Sequence, residues 1–311
     1  MAKWHGFVSL KRTNEISNFS NVILTFICVL GVMACILPIL LIIAISFTAD
    51  GAIKTEGYKF IPGVFSTESY RFLLTDARMV LRAYSNTIFV MVVGTAMNVV
   101  ISAMYGYTLS RRDFPYRGFF SFVVLITILF SGGLAPFYYV YVRILDVKNT
   151  YWALILPGLS LGFNVFIIRT FFTQNIPDAV IESAKIDGAG ELRIFFTLVM
   201  PMAMPIVATV ALFSSIFYWN DFFNSMLFID NPSLYTLQFT MQRSLMNLSF
   251  IKDNIAKMGG AGLELISQYR YIPTEGVRMA MVVIGIGPIV LLYPFLQRYF
   301  IKGLTIGAVK G

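Results

Sequence analysis

Histidine is almost missing from this chain of 311 residues: the single one is His5, beside the N-terminus. That leaves no material for histidine-built metal sites or for His-based nucleophile triads. Cysteine is nearly as scarce. Cys28 and Cys35 stand seven residues apart in one apolar run, about 10 Å apart on one helix face. That is too far for a disulfide, and they read as two thiols buried in a membrane. Charge is thin as well: Asp, Glu, Lys and Arg make up 13% of the residues, about half the share of a soluble domain. No Gly-Lys dipeptide occurs, so there is no phosphate-binding loop closing on Gly-Lys-Ser/Thr, and ATP hydrolysis lies outside what this chain does alone. Alternating strands of about ten residues, the mark of a membrane barrel, are missing too, as are low-complexity tracts and clear internal repeats.

What is present is apolar. Hydrophobic residues make up 57%, with 29 Phe and 16 Tyr; a soluble globule of this size cannot hide that much apolar surface, whereas a bilayer accepts it. Six apolar segments follow one another over residues 21–48, 83–109, 118–142, 150–168, 201–228 and 277–297. Each is about 20 to 28 residues long, enough to cross a hydrocarbon core of about 30 Å as a helix, the one open-chain solution that satisfies its own backbone. The first follows a polar, basic start (Lys3, Lys11, Arg12) and is longer than a signal-peptide core, so it reads as a retained helix. Six crossings put both termini on one side. Arg111, Arg112 and Arg117 after the second segment, Arg298, Lys302 and Lys310 after the sixth, and the basic start before the first make that side cytoplasmic. The formal net charge of +8 then belongs to membrane ends facing anionic lipid. The expectation is one all-α integral membrane domain over residues 1–311. Its large outward loops fall at 49–82 and 229–276, with an interfacial helix expected over Ser233–Leu248, and an inward loop falls at 171–199.

Several segments carry helix breakers: Pro38 in the first, Ser131-Gly132-Gly133-Leu134-Ala135-Pro136 in the third, and Gly285, Gly287, Pro288 and Pro294 in the sixth. In a membrane such breaks either kink a helix for close contact or line a pathway.

The inward loop has legible local physics. Pro177 suits a first helical position, and Asp178 and Glu182 follow at the positive end of the helix dipole. Ala179, Ser183 and Ile186 share one face, with Val180, Ala184 and Asp187 beside it. Gly188 then ends the helix in a left-handed turn. These residues predict a short helix with a small-residue face, a turn, and a second helix entering the membrane at Pro201. Such a helix lies on the membrane surface or seats in a partner's groove.

The spacing Glu182-Ser183-Ala184, Gly188, Leu198-Val199-Met200-Pro201 resembles the "EAA" motif of ABC-importer permeases, with Ser183 for the central Ala as the one departure. The likeness runs along most of the chain. Ser85-Asn86-Thr87, Gly94-Thr95 and Tyr107-Thr108-Leu109-Ser110-Arg111 are similar to the family's second helix. Asn149–Ala153 and Arg169–Phe172 are similar to the bounds of its fourth. Tyr218–Phe222 resembles the carbohydrate branch, and the tail Arg298–Gly311 resembles the end of maltose-type smaller permeases. Ser131–Pro136 leans toward the aldouronate or plant-oligosaccharide members.

The resemblance implies a type I ABC-importer permease fold. It also implies ATPase-coupling residues Asp178, Glu182, Ser183, Ala184, Asp187, Gly188 and Ala189, with Gly311 in the tail touching the same ATPase. The implied partners are a second, homologous permease, two ATPase subunits, an extracytoplasmic solute-binding protein, the lipid bilayer and an oligosaccharide. ATP and magnesium would sit on the ATPase, and this chain would hold no cofactor. For the solute pathway the candidates are Tyr218, Trp219, Asn220 and Asp221, whose aromatic faces and polar ends suit a sugar ring, though an interfacial aromatic belt fits them equally. Asn98 and Asn164, lone amides in apolar segments, suit interhelical hydrogen bonds or ligand contact. Two other functions stay open here: an ABC permease for a non-sugar solute, and a stand-alone carrier.

Overall fold

The computed structural model describes residues 18–159, 161–255, 275–287 and 290. Among these the regular structure is helical, with one isolated antiparallel bridge between Thr48 and Phe65. Among the described residues two helices are long and apolar enough to cross a membrane unaided. The first is α1 (Asn18–Ser46), which carries Pro38 within it. The second, α4 (Ala77–Ser110), starts six residues before the apolar segment does, since polar Arg78 and Arg82 extend the helix beyond it. Between them α2 (Asp50–Glu56) and α3 (Glu68–Leu73) give the first large loop its own short helices.

The next three apolar segments are bent pairs rather than straight rods. Helix α5 (Arg117–Leu129) stops at Phe130, and α6 (Leu134–Tyr139) restarts 111° away after Gly133 takes a φ of 81°. A wide π turn extends α6 to Ile144. Helices α7 (Tyr151–Ile155) and α8 (Gly162–Asn175) share the fourth segment. The loop after α8 holds α9 (Asp178–Ile186) and α10 (Glu191–Ile194), and α11 (Met200–Met202) and α12 (Met204–Asn220) follow it. The arm 191–202 meets α12 at 85°. Pro201 and Pro205 flank the corner at Ala203, and each removes an amide from the helical ladder. The fifth crossing therefore begins at Met204, with the residues before it turned aside.

Helix α4 is central, with α8 and α12 against its sides. Small residues permit this closeness, as membrane helices lack a hydrophobic force between them and depend on contact. A Cβ on Gly106 would sit 2.9 Å from Ile168 Cγ2, and one on Gly94 2.5 Å from the Tyr218 ring. By contrast α1 leaves nearly its whole apolar length uncovered. Cys28 and Cys35 are exposed on it, so within this chain they are surface thiols rather than core ones.

Beyond α13 (Phe223–Phe228), helix α14 (Leu237–Ile255) packs onto α4. The expected interfacial helix over Ser233–Leu248 thus starts later and docks on the bundle, with Leu237 fully buried. The sixth segment is described as helix over residues 275–287. Pro288, Pro294, the basic start and the Arg298–Gly311 tail, including Gly311, lie outside the described residues.

Candidate functional site

At the arginine-rich end of α4 the loop over residues 171–199 folds as a helix and a stop. Pro177 stands one residue earlier than expected, as the extended residue before α9 (ψ 136°), and α9 starts at Asp178. At the far end the Ala189 amide donates to Ala184 O (3.0 Å) and the Gly188 amide to Lys185 O (3.0 Å), while Gly188 takes a φ of 80°. This paired closure around a left-handed glycine satisfies the carbonyls a helix end leaves open.

Helix α9 has two unlike faces. Ile181 and Ala184 are buried against a cluster containing Phe172, Ile176, Ile194 and Phe195. The outer face carries Ala179, Glu182, Ser183 and Ile186, all exposed, with Ile186 at 86%. Of the Glu182-Ser183-Ala184 triplet, two residues look outward and Ala184 is an inward anchor. Asp187 is exposed and Ala189 half-buried.

Charges tie α9 to the end of α4. Arg111, only 12% exposed, donates from Nη1 to Asp178 (3.0 Å); its Nε lies 3.3 Å from Asp113, out of line for a hydrogen bond. Lys185 bridges to Glu191 (2.6 Å) and Asp113 (3.2 Å), and Tyr107 donates its hydroxyl to Glu191 (3.0 Å). The Glu191 hydrogen bond, opposed by partial burial and aided by Asp113, holds the Lys185 ammonium above its ordinary range. Burial alone would raise the Asp113 carboxyl, but the Lys185 hydrogen bond and the Arg111 charge outweigh it and hold the group low. Beside this cluster lies a cavity of about 310 Å³ between α4 and α10, lined by Tyr107, Arg111, Asp113 and Glu191 among others. The sequence reading used Arg111 for sidedness and for the family likeness, and passed over Asp113, Lys185 and Glu191. Their signal was weak: a charged Arg-Arg-Asp run at a helix end, and opposite charges either side of Gly188.

The central part of the bundle holds a second polar group, which is buried and uncharged. Asn98 donates to Gly158 O (2.7 Å) and Leu159 O (3.1 Å), and its Oδ1 accepts from Asn164 (3.0 Å) and from Ser214 (2.6 Å). These bonds join α4, α8 and α12, the interhelical alternative for both amides. Further along α4, Asn86 donates to Ser233 O and Tyr235 O and accepts from the Tyr151 hydroxyl (2.8 Å).

The four pathway candidates separate. Tyr218 is fully buried, its ring between Gly94 and Gly158 and its hydroxyl donating to Ile155 O (2.8 Å). Trp219 is equally buried and donates from Nε1 to Gly285 O (2.8 Å). Both point into the bundle and form no exposed belt. Asn220 is exposed, and Asp221 accepts from the Asn224 amide (3.0 Å) and side chain (2.7 Å), fixing the start of α13.

The comparisons fit a bundle of broken helices around a charge-tied loop. The profile of the family described as "binding-protein-dependent transport system inner membrane component" matches residues 16–306. The chain belongs to this family. It is 35% identical to the polygalacturonan/rhamnogalacturonan transport system permease protein YtcP of Bacillus subtilis, over 90% of this chain and 94% of that one. It is 37% identical to protein LplC of the same organism, over 89% and 90%. Its fold is similar to a solved bacterial ABC transporter involved in importing the acidic polysaccharide alginate. That likeness has a TM-score of 0.76 and 24% identity, covering 93% of this chain and all of the other. The chain is therefore an inner-membrane transport component with the type I ABC permease fold, from a family of transporters rather than catalysts.

Proposed function

We propose that the chain is the membrane-spanning permease subunit of an ATP-driven importer for oligosaccharides, in which a separate ATPase drives alternating access through α9. The observation that carries this reading is the two-faced geometry of α9. Its outer face (Glu182, Ser183, Ile186) is free to seat in a partner. Its inner face is anchored by Ile181 and Ala184 and tied by Arg111 and Lys185. A push on such a helix reaches α4 and α12 instead of being lost in a loop. Asp178, Asp187, Gly188 and Ala189 then shape and terminate the coupling element. The arginine-rich end faces the cytoplasm with both termini. A second, homologous permease, two ATPase subunits and an extracytoplasmic binding protein complete the machine. The carbohydrate named for YtcP supports a plant-derived oligosaccharide as cargo.

The test is uptake into vesicles holding the full complex. Gly188→Val forces a β-branched residue into a left-handed turn, and a separate variant, Glu182→Lys, reverses the charge of the outer face. Both variants should keep the complex assembled but lower sugar uptake per ATP hydrolysed by tenfold or so, the size of a lost coupling energy of about 1.4 kcal/mol. Uptake by this chain without any ATPase would sink the reading.

A further inference from the structure

The break between α5 and α6 has no role in the coupling just described. Helix α5 begins at Arg117 and runs 13 residues, which lifts its end about 20 Å. If Arg117 marks the edge of a hydrocarbon core about 30 Å thick, the break lies well inside it. There the chain leaves the helix. Neither the amides nor the carbonyls of Ser131 and Gly132 have a hydrogen-bond partner among the described residues. All of residues 130–134 are exposed in this chain. Bare backbone at such a depth is tolerated against water or protein but not against lipid.

Three further observations say what kind of surface this is. Nothing lies within 4 Å of a Cβ built on Gly132 or Gly133. The pair is not small in order to let a helix of this chain approach; it opens onto space, and at Gly133 it also supplies a φ of 81°. Next, the break floors an open cavity of about 510 Å³, of the size that takes a small ligand. Finally, Phe137, Tyr141 and Phe223 stand on its walls. Amides and carbonyls on the floor with aromatic rings on the walls match a sugar: hydroxyls meet the backbone, and the C–H faces of the ring meet the aromatics. Phe223 also places the cavity beside Asp221, which holds the α13 start in place.

We propose that the Ser131–Pro136 break is a saccharide subsite on the transport path, read mainly by main-chain groups. It takes one or two hydroxyl-rich sugar units of the passing oligosaccharide. A site of main-chain donors and acceptors bears no net charge, so it holds neutral and acidic sugars alike and releases them readily. The proposal rests on the oligosaccharide reading above, and the experiment separates the two.

Cys28 and Cys35, both free and exposed on α1, are replaced by Ala, and Gly132→Cys is introduced into the full complex in membrane vesicles. Tetragalacturonate and arabinotetraose are first tested for import by the unaltered complex. Import of neither overturns the oligosaccharide reading, independently of labelling. A membrane-impermeant cationic methanethiosulfonate should label position 132 about tenfold faster than Val92→Cys on the outer surface of α4, since a thiolate needs water. Whichever sugar is imported should slow that labelling severalfold. No labelling in vesicles that still import would mean a partner covers the break, and labelling that the imported sugar leaves unchanged would mean a water path without a sugar site; either result overturns the proposal. Gly132→Leu is the second arm. It has room to fold and should cut uptake at least severalfold with the amount of assembled complex unchanged; full uptake would overturn the subsite.

Discussion

The two ends of α4 are held by opposite chemistry. Through its middle and outer part it is joined to its neighbours by neutral groups in a dry interior: Asn98 with Asn164 and Ser214, Asn86 with Tyr151, and the Tyr218 ring against Gly94. At its arginine-rich end the joins are ion pairs, half in water: Arg111 with Asp178, and Lys185 with Asp113 and Glu191. Neutral bonds without competing water hold one geometry. Exposed ion pairs are each worth little and exchange partners readily. The contrast suits a helix that keeps its place in the bundle while the loop beneath it moves.

The largest expected effect strikes the neutral region. Gly94→Val drives carbon into the Tyr218 ring, which has no room to retreat because Gly158 backs it. Overpacking of this kind costs about 3 kcal/mol and should show as a clear fall in Tm and yield in detergent. A melting curve unchanged from the parent would mean the middle of α4 is not tightly held. Asn98→Ala should cost less, about 1 kcal/mol, since a membrane-unfolded state recovers some bonds. That loss should be the same in low and high salt; salt dependence would erase the contrast between the two regions.

The charged end should behave the other way. Lys185→Ala is expected to change stability by less than about 1 kcal/mol yet to lower sugar uptake per ATP severalfold, and raising salt on the parent should mimic part of it. A large drop in Tm with coupling intact would show the ion pairs to be structural.

The smallest effect is that of pH. The Asp113 carboxyl is held below its ordinary range, so its contribution is present above that range and fades as pH falls through the lowered value. Lys185 is held above its own range, so its part persists until pH rises through the raised value. A fluorophore on Ser183→Cys, in the chain freed of its two native cysteines, should keep constant anisotropy from about pH 5 to 10 and loosen below roughly pH 4. Loosening near neutral pH would count against these pairs as the tether.

Much of this fold was legible because it is local. Runs of apolar residues longer than a bilayer is thick announce helices. Gly188 announces a stop because only a left-handed residue closes that turn, and Gly132-Gly133 announces a break because missing Cβ atoms weaken the ladder at that point. The outward face of α9 was partly legible too: Ala179, Ser183 and Ile186 do share it. Ala184 and Ile181 were read less well, since which side of a short helix is buried depends on Phe172 and Phe195 across the fold.

What the chain settled by itself was its solvent, its apolar helical segments, the break at Ser131–Pro136, and the motif that places it in a transport family. Tertiary structure alone decided the bend angles, the inward turn of Tyr218 and Trp219, and the pairing of Lys185 with Asp113, 72 residues away. The reason is physical. A helix and its breaks follow from hydrogen bonds within a few residues, whereas the direction of a side chain and the partner of a charge depend on which distant surfaces meet.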